Sequence, residues 1–482
     1  MHDPIRRATK IVATLGPAST GPETLERLIL AGVNVVRVNF SHGEAAEHVL
    51  AVERVREIAA RVGRDIGVLA DLQGPKIRIG RFETGRIHLE VGDPFVFDLD
   101  CELGDTGRVG LDYPDLINDV AAGDTLMLND GRLTMRVDRV TERTIECTVT
   151  RRGDLSDRKG INRLGGGLSA PALTSKDMAD IATAVDFEAD FIAVSFPKNS
   201  ADMYMARELA RARGGKARMI AKIERFEAIG ALEAILDASD GIMVARGDLA
   251  VEVGDAAVPA LQKRMIRMAR ERNKLTITAT QMMESMISEP VPTRAEVSDV
   301  ANAVLDGTDA VMLSAETAAG RYPVETVEAM ARICLEADQS QRMPLDAEFL
   351  NRKFTRIDQS IAMSALFIAH HLGVKAIVAL TQSGATALWM SRLDSDVPIF
   401  ALTPELSSLH RMTLYRGVHP YLMARQAGER QALLREAEQR LLEAGLVARD
   451  DLVVITVGDP IGKAGGTNSL TIVRIGEHND GD

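Results

Sequence analysis

Residues 241–281, "GIMVARGDLAVEVGDAAVPALQKRMIRMARERNKLTITATQ", contain the repeating unit that predicts the fold of this chain. The segments "GIMVARGD" (241–248) and "LTITATQ" (275–281) have the short apolar, β-branched character of buried strands. Between them, "VPALQKRMIRMARERN" (258–273) has the apolar spacing of an amphipathic helix. A strand, a helix and a second strand in succession predict that the two strands pair in parallel.

The same alternation recurs along the chain, with further amphipathic stretches at "GPETLERLILAG" (21–32) and "EHVLAVERVREIAARVG" (47–63). Eight strands separated in this way predict a closed (β/α)8 TIM barrel, formed by residues 1–73 and 171–344. The eight predicted strands are "KIVATLG" (10–16), "VNVVRVNFS" (33–41), "IGVLADL" (66–72), "FIAVSF" (191–196), "RMIAKIE" (218–224), "GIMVARGD" (241–248), "LTITATQ" (275–281) and "AVMLSAE" (310–316).

Polar or charged residues lie at one end of seven of these eight strands. A charge at the end of a single strand usually means only that the strand has reached solvent. In a barrel, however, all these ends converge on the face where such folds place their active sites, so the repetition predicts a functional site there. The residues are Arg37, Asn39 and Ser41, then Asp71, Ser195, Lys222 and Glu224, Arg246 and Asp248, Thr280 and Gln281, and Glu316.

Two regions depart from the barrel pattern. Residues 74–170 lack helical periodicity and contain the hairpin-like segments "RIHLEVGDPFVFDLD" (86–100) and "TLMLNDGRLTMRVDRVTERTIECTVTRRG" (125–153), the second with an Asp-Gly turn. They predict an inserted, β-barrel-like lid domain, after which Thr174 and Asp177 form the pattern of a helix capping box. Residues 345–482 alternate between helix and strand again and predict a C-terminal open α/β domain.

Composition and charge restrict the possible partners. The formal net charge of −12 disfavours nucleic acid, so small anionic ligands would need local lysines, arginines or a bound divalent cation. No apolar run reaches the roughly 18 residues of a membrane span, and "MHDPIRRATKIVATLG" lacks a signal-peptide core. Three cysteines, Cys101, Cys147 and Cys334, are too few and too far apart for a disulfide framework. We expect a cytoplasmic protein without nucleic-acid or membrane partners.

The spacing of Lys222 and Glu224 indicates a chemical function. Residues two apart on a strand point to the same side, and Asp248 comes from the end of the next strand. Two neighbouring carboxylates can hold a hard divalent cation such as Mg²⁺ while substrate oxygens fill the other positions. A lysine beside them can stabilise a phosphoryl group or an enolate. The alternative from spacing alone is a structural ion pair between Lys222 and either carboxylate.

Six segments closely resemble the signature segments of pyruvate kinases, and the resemblance extends from about Thr9 to the C-terminus. The last of the six is too long for a chance match. The family architecture, a barrel with an inserted β lid and a C-terminal α/β domain, agrees with the prediction above. The segments are "TKIVATLGPAS" (9–19), "RVNFSHG" (37–43), "DLQGPKIR" (71–78), "AKIER" (221–225), "DGIMVARGDLAVE" (240–252) and "TATQMMESMISEPVPTRAEVSDVANAVLDGTDAVMLSAETAAGRYP" (278–323).

The resemblance implies transfer of the phosphoryl group of phosphoenolpyruvate to ADP, which gives pyruvate and ATP in the last step of glycolysis. Matched residue by residue, Glu224 and Asp248 would hold Mg²⁺ or Mn²⁺. Lys222 would stabilise the transferred phosphoryl group and the enolate, and Arg37 would bind the substrate phosphate. The other implied contacts are the Gly247 and Asp248 amides and Thr280 for the substrate carboxylate, Thr280 near the protonation step, and Asn39, His42, Arg78 and Lys159 for the nucleotide. A homotetramer is the implied assembly.

Lys76 departs from the pattern of many relatives. There, positions equivalent to Asn39, Ser41 and Asp71, with the residue after the aspartate, hold a potassium ion, and a glutamate occupies the position of Lys76. Here Leu72 follows Asp71, the pattern of relatives that do not need potassium. A lysine ammonium is a compact point charge, so we expect Lys76 to replace the ion, with Asp71 as its partner. The alternative is a solvated loop lysine with the potassium ion still bound.

A second anion site is predicted in the C-terminal domain. "LTQSGATALWMSRL" follows a strand, turns at Gly384 and opens a helix, which leaves Thr381, Ser383 and Thr386 beside backbone amides that suit an anion. The equivalent family loop binds the phosphate of an allosteric activator, and "GKAGGTNSL" (462–470) is expected to complete the pocket. Relatives that respond to fructose 1,6-bisphosphate often have an arginine where this chain has Ala385, which favours a sugar monophosphate or AMP. The alternative is a strand–helix turn without a ligand.

Two other functions are compatible with parts of the sequence. One is a different magnesium-dependent barrel enzyme that acts on an enolate, such as a lyase, which the β insert and the long matched segment disfavour. The other is a non-catalytic sensor of sugar phosphates or nucleotides. A sensor would not need to keep both the catalytic charges and the metal ligands, so the presence of Lys222, Glu224, Asp248, Arg37 and Thr280 disfavours it.

Overall fold

The structure, a computed structural model, describes residues 7–129, 131–340, 353–393, 395–424, 430–461 and 465–477. Eight parallel strands within these ranges close into a barrel, in which the first strand pairs with both the second and the eighth. Each lies inside a segment predicted from the sequence, so the predicted barrel is confirmed. The strands are Lys10–Thr14, Val35–Asn39, Gly67–Asp71, Phe191–Val194, Arg218–Ile223, Gly241–Ala245, Leu275–Ala279 and Ala310–Leu313.

Helices surround the barrel and pack their apolar faces against its strands. Both faces of a parallel sheet are covered in this arrangement, which explains why the strands are almost entirely buried. The helices are Pro22–Ala31, Ala45–Val62, Ser175–Asp186, Ser200–Ala212, Phe226–Gly230, Leu232–Ala238, Arg246–Val253, Val258–Glu271, Arg294–Leu305, Ala315–Ala318 and Pro323–Ser340, with 3₁₀ turns at Asp255–Ala257 and Glu284–Ile287.

The insertion between the third and fourth barrel strands is a β domain with its own hydrophobic core. It contains a six-stranded sheet and two two-stranded sheets. A short helix, Leu116–Asp119, lies between its strands. The strands are Arg81–Phe82, Arg86–Leu89, Pro94–Asp98, Leu103–Gly104, Arg108–Val109, Thr125–Leu128, Leu133–Val140, Thr144–Arg151, Gly153–Ser156 and Ile161–Arg163.

Only one of the two predicted hairpin segments in this domain forms as expected. Thr125–Leu128, Leu133–Val140 and Thr144–Arg151 pair antiparallel in succession, while Asp130 of the predicted turn lies outside the described residues. The prediction of a hairpin over residues 86–100 was wrong. Arg86–Leu89 pairs with Gly153–Ser156 and Pro94–Asp98 pairs with Thr144–Arg151, so long-range partners replace the local pairing.

Asp177 holds the two connections of the lid together. The predicted capping box is confirmed, since the Thr174 hydroxyl accepts from the Asp177 amide and an Asp177 carboxylate oxygen accepts from the Thr174 amide at 2.8 Å. The other oxygen, Oδ1, accepts from the amide of Gly74 at 2.9 Å. Asp177 is fully buried. One carboxylate therefore fixes both the segment that enters the lid and the helix that follows it.

The C-terminal domain is an open five-stranded sheet flanked by helices. The first four strands in sheet order are parallel and the last is antiparallel. The edge strand Val418–Leu422 was not predicted, because His419 and Pro420 interrupt its apolar pattern and a proline is tolerated in an edge strand. The elements are strands Ala376–Leu380, Ile399–Thr403, Val418–Leu422, Leu452–Gly458 and Thr467–Arg474, and helices Ile357–Leu372, Ala385–Met390, Leu406–Met412 and Arg430–Glu443.

A buried ion pair joins this domain to the amino-terminal end of the barrel. Arg392 forms a two-point contact with Asp309, in which Nη1 lies 3.0 Å from Oδ2, and both side chains are about 1% exposed. Asp309 directly precedes the eighth strand and also accepts the amide of Thr276 in the seventh strand at 2.9 Å. The contact therefore lies at the opposite end of the barrel from the predicted site.

Among the described residues, every helix is too short or too polar to span a lipid bilayer.

Replacing Thr174 with alanine should destabilise the barrel by about 1 kcal/mol, because it removes the side-chain cap of the helix Ser175–Asp186. A Thr174→Ser variant keeps the hydroxyl and serves as the matched control. Urea denaturation followed by far-ultraviolet circular dichroism measures the difference. Equal midpoints for the alanine and serine variants would contradict the role given to the cap.

Candidate active site

A buried carboxylate lies at the centre of the carboxyl-terminal face of the barrel. Asp71 ends the third strand and is fully buried. Arg37 of the second strand donates from Nε to Asp71 Oδ2 at 2.5 Å, and Lys222 Nζ of the fifth strand lies 3.1 Å from Oδ1. Burial by itself would raise the pKa of Asp71, but these two cations and their hydrogen bonds outweigh it and lower the pKa. Asp71 is therefore ionised and binds two cations.

Lys222 has a protein acceptor for each of its three ammonium hydrogens. Besides Asp71, Glu224 Oε1 lies 3.0 Å and Ser195 Oγ 2.7 Å from Nζ. Burial opposes the charged form, but the carboxylates of Asp71 and Glu224 overcome it and raise the pKa of Lys222. The ammonium is charged and saturated. Any further acceptor, such as a phosphoryl oxygen, must replace one of these three.

The turn after the fourth strand holds both members of the Lys222–Glu224 pair. The Ser195 hydroxyl accepts from Lys222 and donates to the carbonyl of Leu72 at 2.7 Å, while the Phe196 amide donates to Glu224 Oε2 at 2.9 Å. Phe196 has a left-handed backbone with φ +54°. The turn therefore orients a lysine and a carboxylate of the neighbouring strand from one side.

Glu224 and Asp248 are the two carboxylates expected to hold a divalent ion. Burial raises the pKa of Glu224 to about 7 against the opposing effect of Lys222, and the nearby Asp248 and Asp71 charges raise it further. Repulsion between two neighbouring carboxylates, here Glu224 and Asp248, is relieved when they share a hard divalent cation. In the described ranges, no group of three or more His, Cys, Asp or Glu side chains is arranged to hold a metal ion. The protein residues thus fit a divalent ion that takes its remaining ligands from substrate or water.

Lys76 does not pair with Asp71, so that prediction was wrong. Lys76 Nζ lies 3.2 Å from Asp248 Oδ1. Asp71 is enclosed by Arg37 and Lys222, whereas Lys76 follows the Gly74–Pro75 turn and reaches the partly exposed carboxylate on the far side. The lysine therefore contributes its charge at Asp248 instead of at the aspartate nearest to it in sequence.

Thr280 has a strained backbone and is held by the turn after the sixth strand. Thr280 has φ +67°, and Gln281 has φ +54°. For a β-branched residue this conformation is an outlier that costs on the order of 1–3 kcal/mol. The Gly247 amide donates to Thr280 Oγ1 at 2.8 Å. Gly247 and Asp248 lie in the first turn of the helix Arg246–Val253, where amides point out of the helix.

The remaining predicted residues lie around the mouth of the site. Asn39 Oδ1 accepts from the Ser41 amide at 3.2 Å, and His42 is exposed. Arg78 and Lys159 lie on adjacent segments of the lid, since the amide of Ile79 donates to the carbonyl of Lys159. The residues expected to contact the nucleotide therefore come from both the barrel and the lid.

The C-terminal loop has the predicted shape. The strand Ala376–Leu380 ends before the loop, Gly384 has φ +79°, and the helix Ala385–Met390 follows. The Gly384 amide donates to Thr381 Oγ1, and the buried Thr386 hydroxyl lies 2.6 Å from that of Thr467. Ser383 is half-buried. The loop borders a pocket that includes Thr381, Thr386, Met423, Ile461, Gly465 and Thr467, while residues 462–464 lie outside the described residues.

Sequence reasoning missed three features of the barrel site. It did not find the Arg37–Asp71 pair, the contact of Ser195 with Lys222, or the strain at Thr280. Ser195 had a usable signal, because it is one of the polar residues that end the barrel strands. The backbone of Thr280 had none, since a β-branched residue is the least expected type at positive φ.

The fold and the site define a (β/α)8 barrel enzyme with a cluster of paired charges at the carboxyl ends of its strands and an inserted β lid. The family model "Pyruvate kinase, barrel domain" matches residues 6–327, and "Pyruvate kinase, alpha/beta domain" matches residues 359–473. The chain therefore belongs to the pyruvate kinase family, and it is a phosphotransferase.

Relatives match almost the whole chain. It is 50% identical to pyruvate kinase II of Salmonella typhimurium over 475 residues, which cover 97% of this chain and 99% of the relative. It is 51% identical to a pyruvate kinase of Haemophilus influenzae over 458 residues, or 94% and 96% of the two chains. The crystal structure of a pyruvate kinase from Cryptosporidium parvum superposes with a TM-score of 0.91 at 33% identity and covers 98% of both chains.

An Arg37→Met variant should lose about 3 kcal/mol of stability at neutral pH, because it leaves Asp71 buried with one cation fewer. An Arg61→Met variant, which breaks the exposed pair with Glu26, should lose less than about 1 kcal/mol. Because the pKa of folded Asp71 is below its ordinary value of 3.8, the stabilisation is present above that value and is lost as pH falls below it. Urea midpoints measured at pH 7 and at progressively lower pH test this, and equal losses in the two variants would refute it.

Proposed function

We propose that this protein is a pyruvate kinase that transfers the phosphoryl group of phosphoenolpyruvate to ADP. The observation that supports this most directly is the cluster of Lys222, Glu224 and Asp71 at the mouth of the barrel, with Arg37 and Asp248 beside it. The relatives at about 50% identity are named pyruvate kinases, and the match covers 99% of their length. The domains proposed for this activity are the barrel of residues 1–73 and 171–344, the lid of residues 74–170 and the C-terminal domain of residues 345–482.

Glu224 and Asp248 would hold Mg²⁺ or Mn²⁺, which when bound would offset negative charge on the substrates. Lys222 would replace one of its three protein acceptors with a phosphoryl oxygen and so stabilise the charge that develops during transfer. Glu224 is the acceptor that it would give up, because a carboxylate that binds a cation binds an ammonium less strongly. The same lysine would then remain beside the enolate oxygen.

The other residues would position the substrates. Arg37 has a fixed orientation on Asp71 and would present its remaining donors to the substrate phosphate. The amides of Gly247 and Asp248 would bind the substrate carboxylate, for which the Gly247 amide must first release Thr280 Oγ1. Thr280 would then be free to take part in the protonation of the enolate. Asn39, His42, Arg78 and Lys159 would contact the nucleotide.

Pyruvate formation from phosphoenolpyruvate, ADP and Mg²⁺, followed by coupled lactate dehydrogenase, tests this proposal directly. The first assay should contain a large inert cation and the second should also contain potassium. We expect turnover that disappears when Mg²⁺ is removed by chelation. No turnover in either assay, with a sugar monophosphate also present, would contradict the proposal and favour a sensor.

We further propose that the enzyme does not require potassium, with the Lys76 ammonium at Asp248 as its internal cation. Asn39, Ser41 and Asp71, the residues expected to hold potassium in relatives, would then not need to bind the ion. The contact of Lys76 with Asp248 supports the proposal in a modified form, because the fixed charge lies beside a proposed metal ligand. Arg37 and Lys222 already neutralise Asp71, which reduces the need for a potassium ion beside that carboxylate.

A Lys76→Glu variant should make the enzyme dependent on potassium and lower its rate without potassium by at least about tenfold, which is 1.4 kcal/mol. The physical reason is that the variant replaces a resident positive charge with a negative one. The measurement is kcat against potassium concentration at fixed ionic strength. Lys263→Glu, an exposed lysine on the helix Val258–Glu271, is the control and should stay independent of potassium. Indifference of the Lys76 variant to potassium would contradict the proposal.

We propose that a phosphorylated effector, a sugar monophosphate or AMP, activates the enzyme at the loop Thr381–Thr386. Thr381, Ser383, Gly384 and Thr386 would bind its phosphate. The pocket beside Thr386 and Thr467 supports this site. Ala385 lacks a charge for a second phosphate, which supports a monophosphate. Family membership suggests a homotetramer.

A Thr386→Val variant should abolish activation by ribose 5-phosphate or AMP, because it removes a hydroxyl that faces the pocket. The measurement is the ratio of the half-saturating phosphoenolpyruvate concentrations without and with 1 mM effector. Thr183→Val, at a half-buried threonine of a barrel helix far along the chain from this loop, is the control and should keep the wild-type ratio. Unchanged activation of the Thr386 variant, or stronger activation by fructose 1,6-bisphosphate than by either monophosphate, would contradict the assignment.

A further inference from the structure

Arg246 is a buried arginine at the end of the sixth strand for which the proposed reaction has no role. Its guanidinium donates from Nη2 to the carbonyl of Thr280 at 2.7 Å and from Nε to the carbonyl of Ala279 at 3.3 Å. Nη1 lies 2.7 Å from Asp299 Oδ1 on the helix Arg294–Leu305. One side chain thus binds two successive carbonyls at the end of the seventh strand and is itself oriented by a carboxylate.

The neighbouring residue holds the side chain of Thr280. The Gly247 amide donates to Thr280 Oγ1, and that hydroxyl donates to the carbonyl of Ala279 at 2.6 Å. Arg246 therefore fixes the backbone of Thr280, and the Gly247 amide holds its side chain until, in the proposed reaction, that amide turns to the substrate carboxylate. These contacts act on a residue with φ +67°, a conformation that a threonine keeps only when its surroundings impose it.

We infer that Arg246 is a positioning residue that holds Thr280 in its left-handed conformation and so sets the direction of the Thr280 hydroxyl toward the substrate. The inference rests on the proposed function, in which Thr280 contacts the substrate carboxylate and lies near the protonation of the enolate. Arg246 itself touches neither substrate. It acts by keeping the carbonyls of Ala279 and Thr280 in place.

Lysine is the informative replacement for Arg246. An ammonium keeps the charge and can bind Asp299 or one carbonyl, but it lacks the planar fork that reaches two carbonyls and a carboxylate together. The sixth strand also provides a control at its other end. Arg207, on the helix Ser200–Ala212, donates from Nη2 to the carbonyl of Ala238 at 2.9 Å and pairs with Asp240, just before that strand begins, so Arg207→Lys removes a similar fork at the opposite end of the strand from Arg246.

The experiment compares the wild type, Arg246→Lys and Arg207→Lys in turnover and in deuterium uptake by the methyl group of pyruvate. The second assay, run in D₂O with Mg²⁺ and ATP and followed by proton NMR, reports the enolisation step in reverse. We expect Arg246→Lys to lower kcat by about tenfold to a hundredfold, as a small misplacement of a reacting group does. Deuterium uptake should fall by at least the same factor. The KM of Arg246→Lys for ADP should stay within about twofold of the wild-type value. The kcat, KM and deuterium uptake of Arg207→Lys should also stay within about twofold, which corresponds to a change of about 0.4 kcal/mol in free energy.

A kcat and a deuterium uptake of Arg246→Lys within about twofold of the wild type would overturn the inference. So would equal losses in Arg207→Lys, since those would indicate a general effect of losing an arginine fork on stability. If Arg246→Lys shows no cooperative melting, Asp299→Asn replaces it, because it leaves Arg246 in place but weakens its orientation. That variant should lower kcat and deuterium uptake together, and a wild-type value for both would overturn the inference. Absence of turnover in the wild type would instead refute the proposed function.

Discussion

The burial of Asp71 is the constraint on which the site depends. An ionised carboxylate without access to water is stable only beside positive charge. Asp71 ends the third strand, Arg37 comes from the neighbouring second strand, and Lys222 comes from the fifth strand. Because these cations must meet at one carboxylate, the ends of strands two, three and five are fixed relative to one another. The rest of the charged face is arranged around that meeting point.

The same constraint determines what the site can do. Arg37, Lys76 and Lys222 are matched by Asp71, Glu224 and Asp248, so the charges of the cluster cancel before any ligand is present. An anionic substrate therefore brings uncompensated charge, which only an additional cation can offset. The free chain has net charge −12, so this compensation has to be local. Under the proposed function, binding of the anionic substrate would therefore depend on binding of the metal ion.

Features of the fold and the site that depend on a local sequence pattern could be predicted from the sequence. The eight barrel strands, the shared side of Lys222 and Glu224 and the Thr174–Asp177 cap all follow from a period of two residues or from neighbouring positions. Features that depend on distant pairing were mispredicted. Lys76 is close to Asp71 in sequence but pairs with Asp248, and the segment 86–100 forms no hairpin because its strands have better partners far along the chain. A strand's period tells which residues share a face but does not identify the strand beside it.

The seventh strand shows how strain can persist at such a site. At its start, Thr276 is bonded to Asp309, which Arg392 of the C-terminal domain holds in a buried pair. At its end, Arg246 binds the carbonyls of Ala279 and Thr280. Between these points the strand is five residues long, fully buried and paired on both sides. Because the strand is fixed at both ends, it cannot relax to relieve the left-handed conformation of Thr280, the residue that follows it, and the barrel as a whole therefore maintains that conformation.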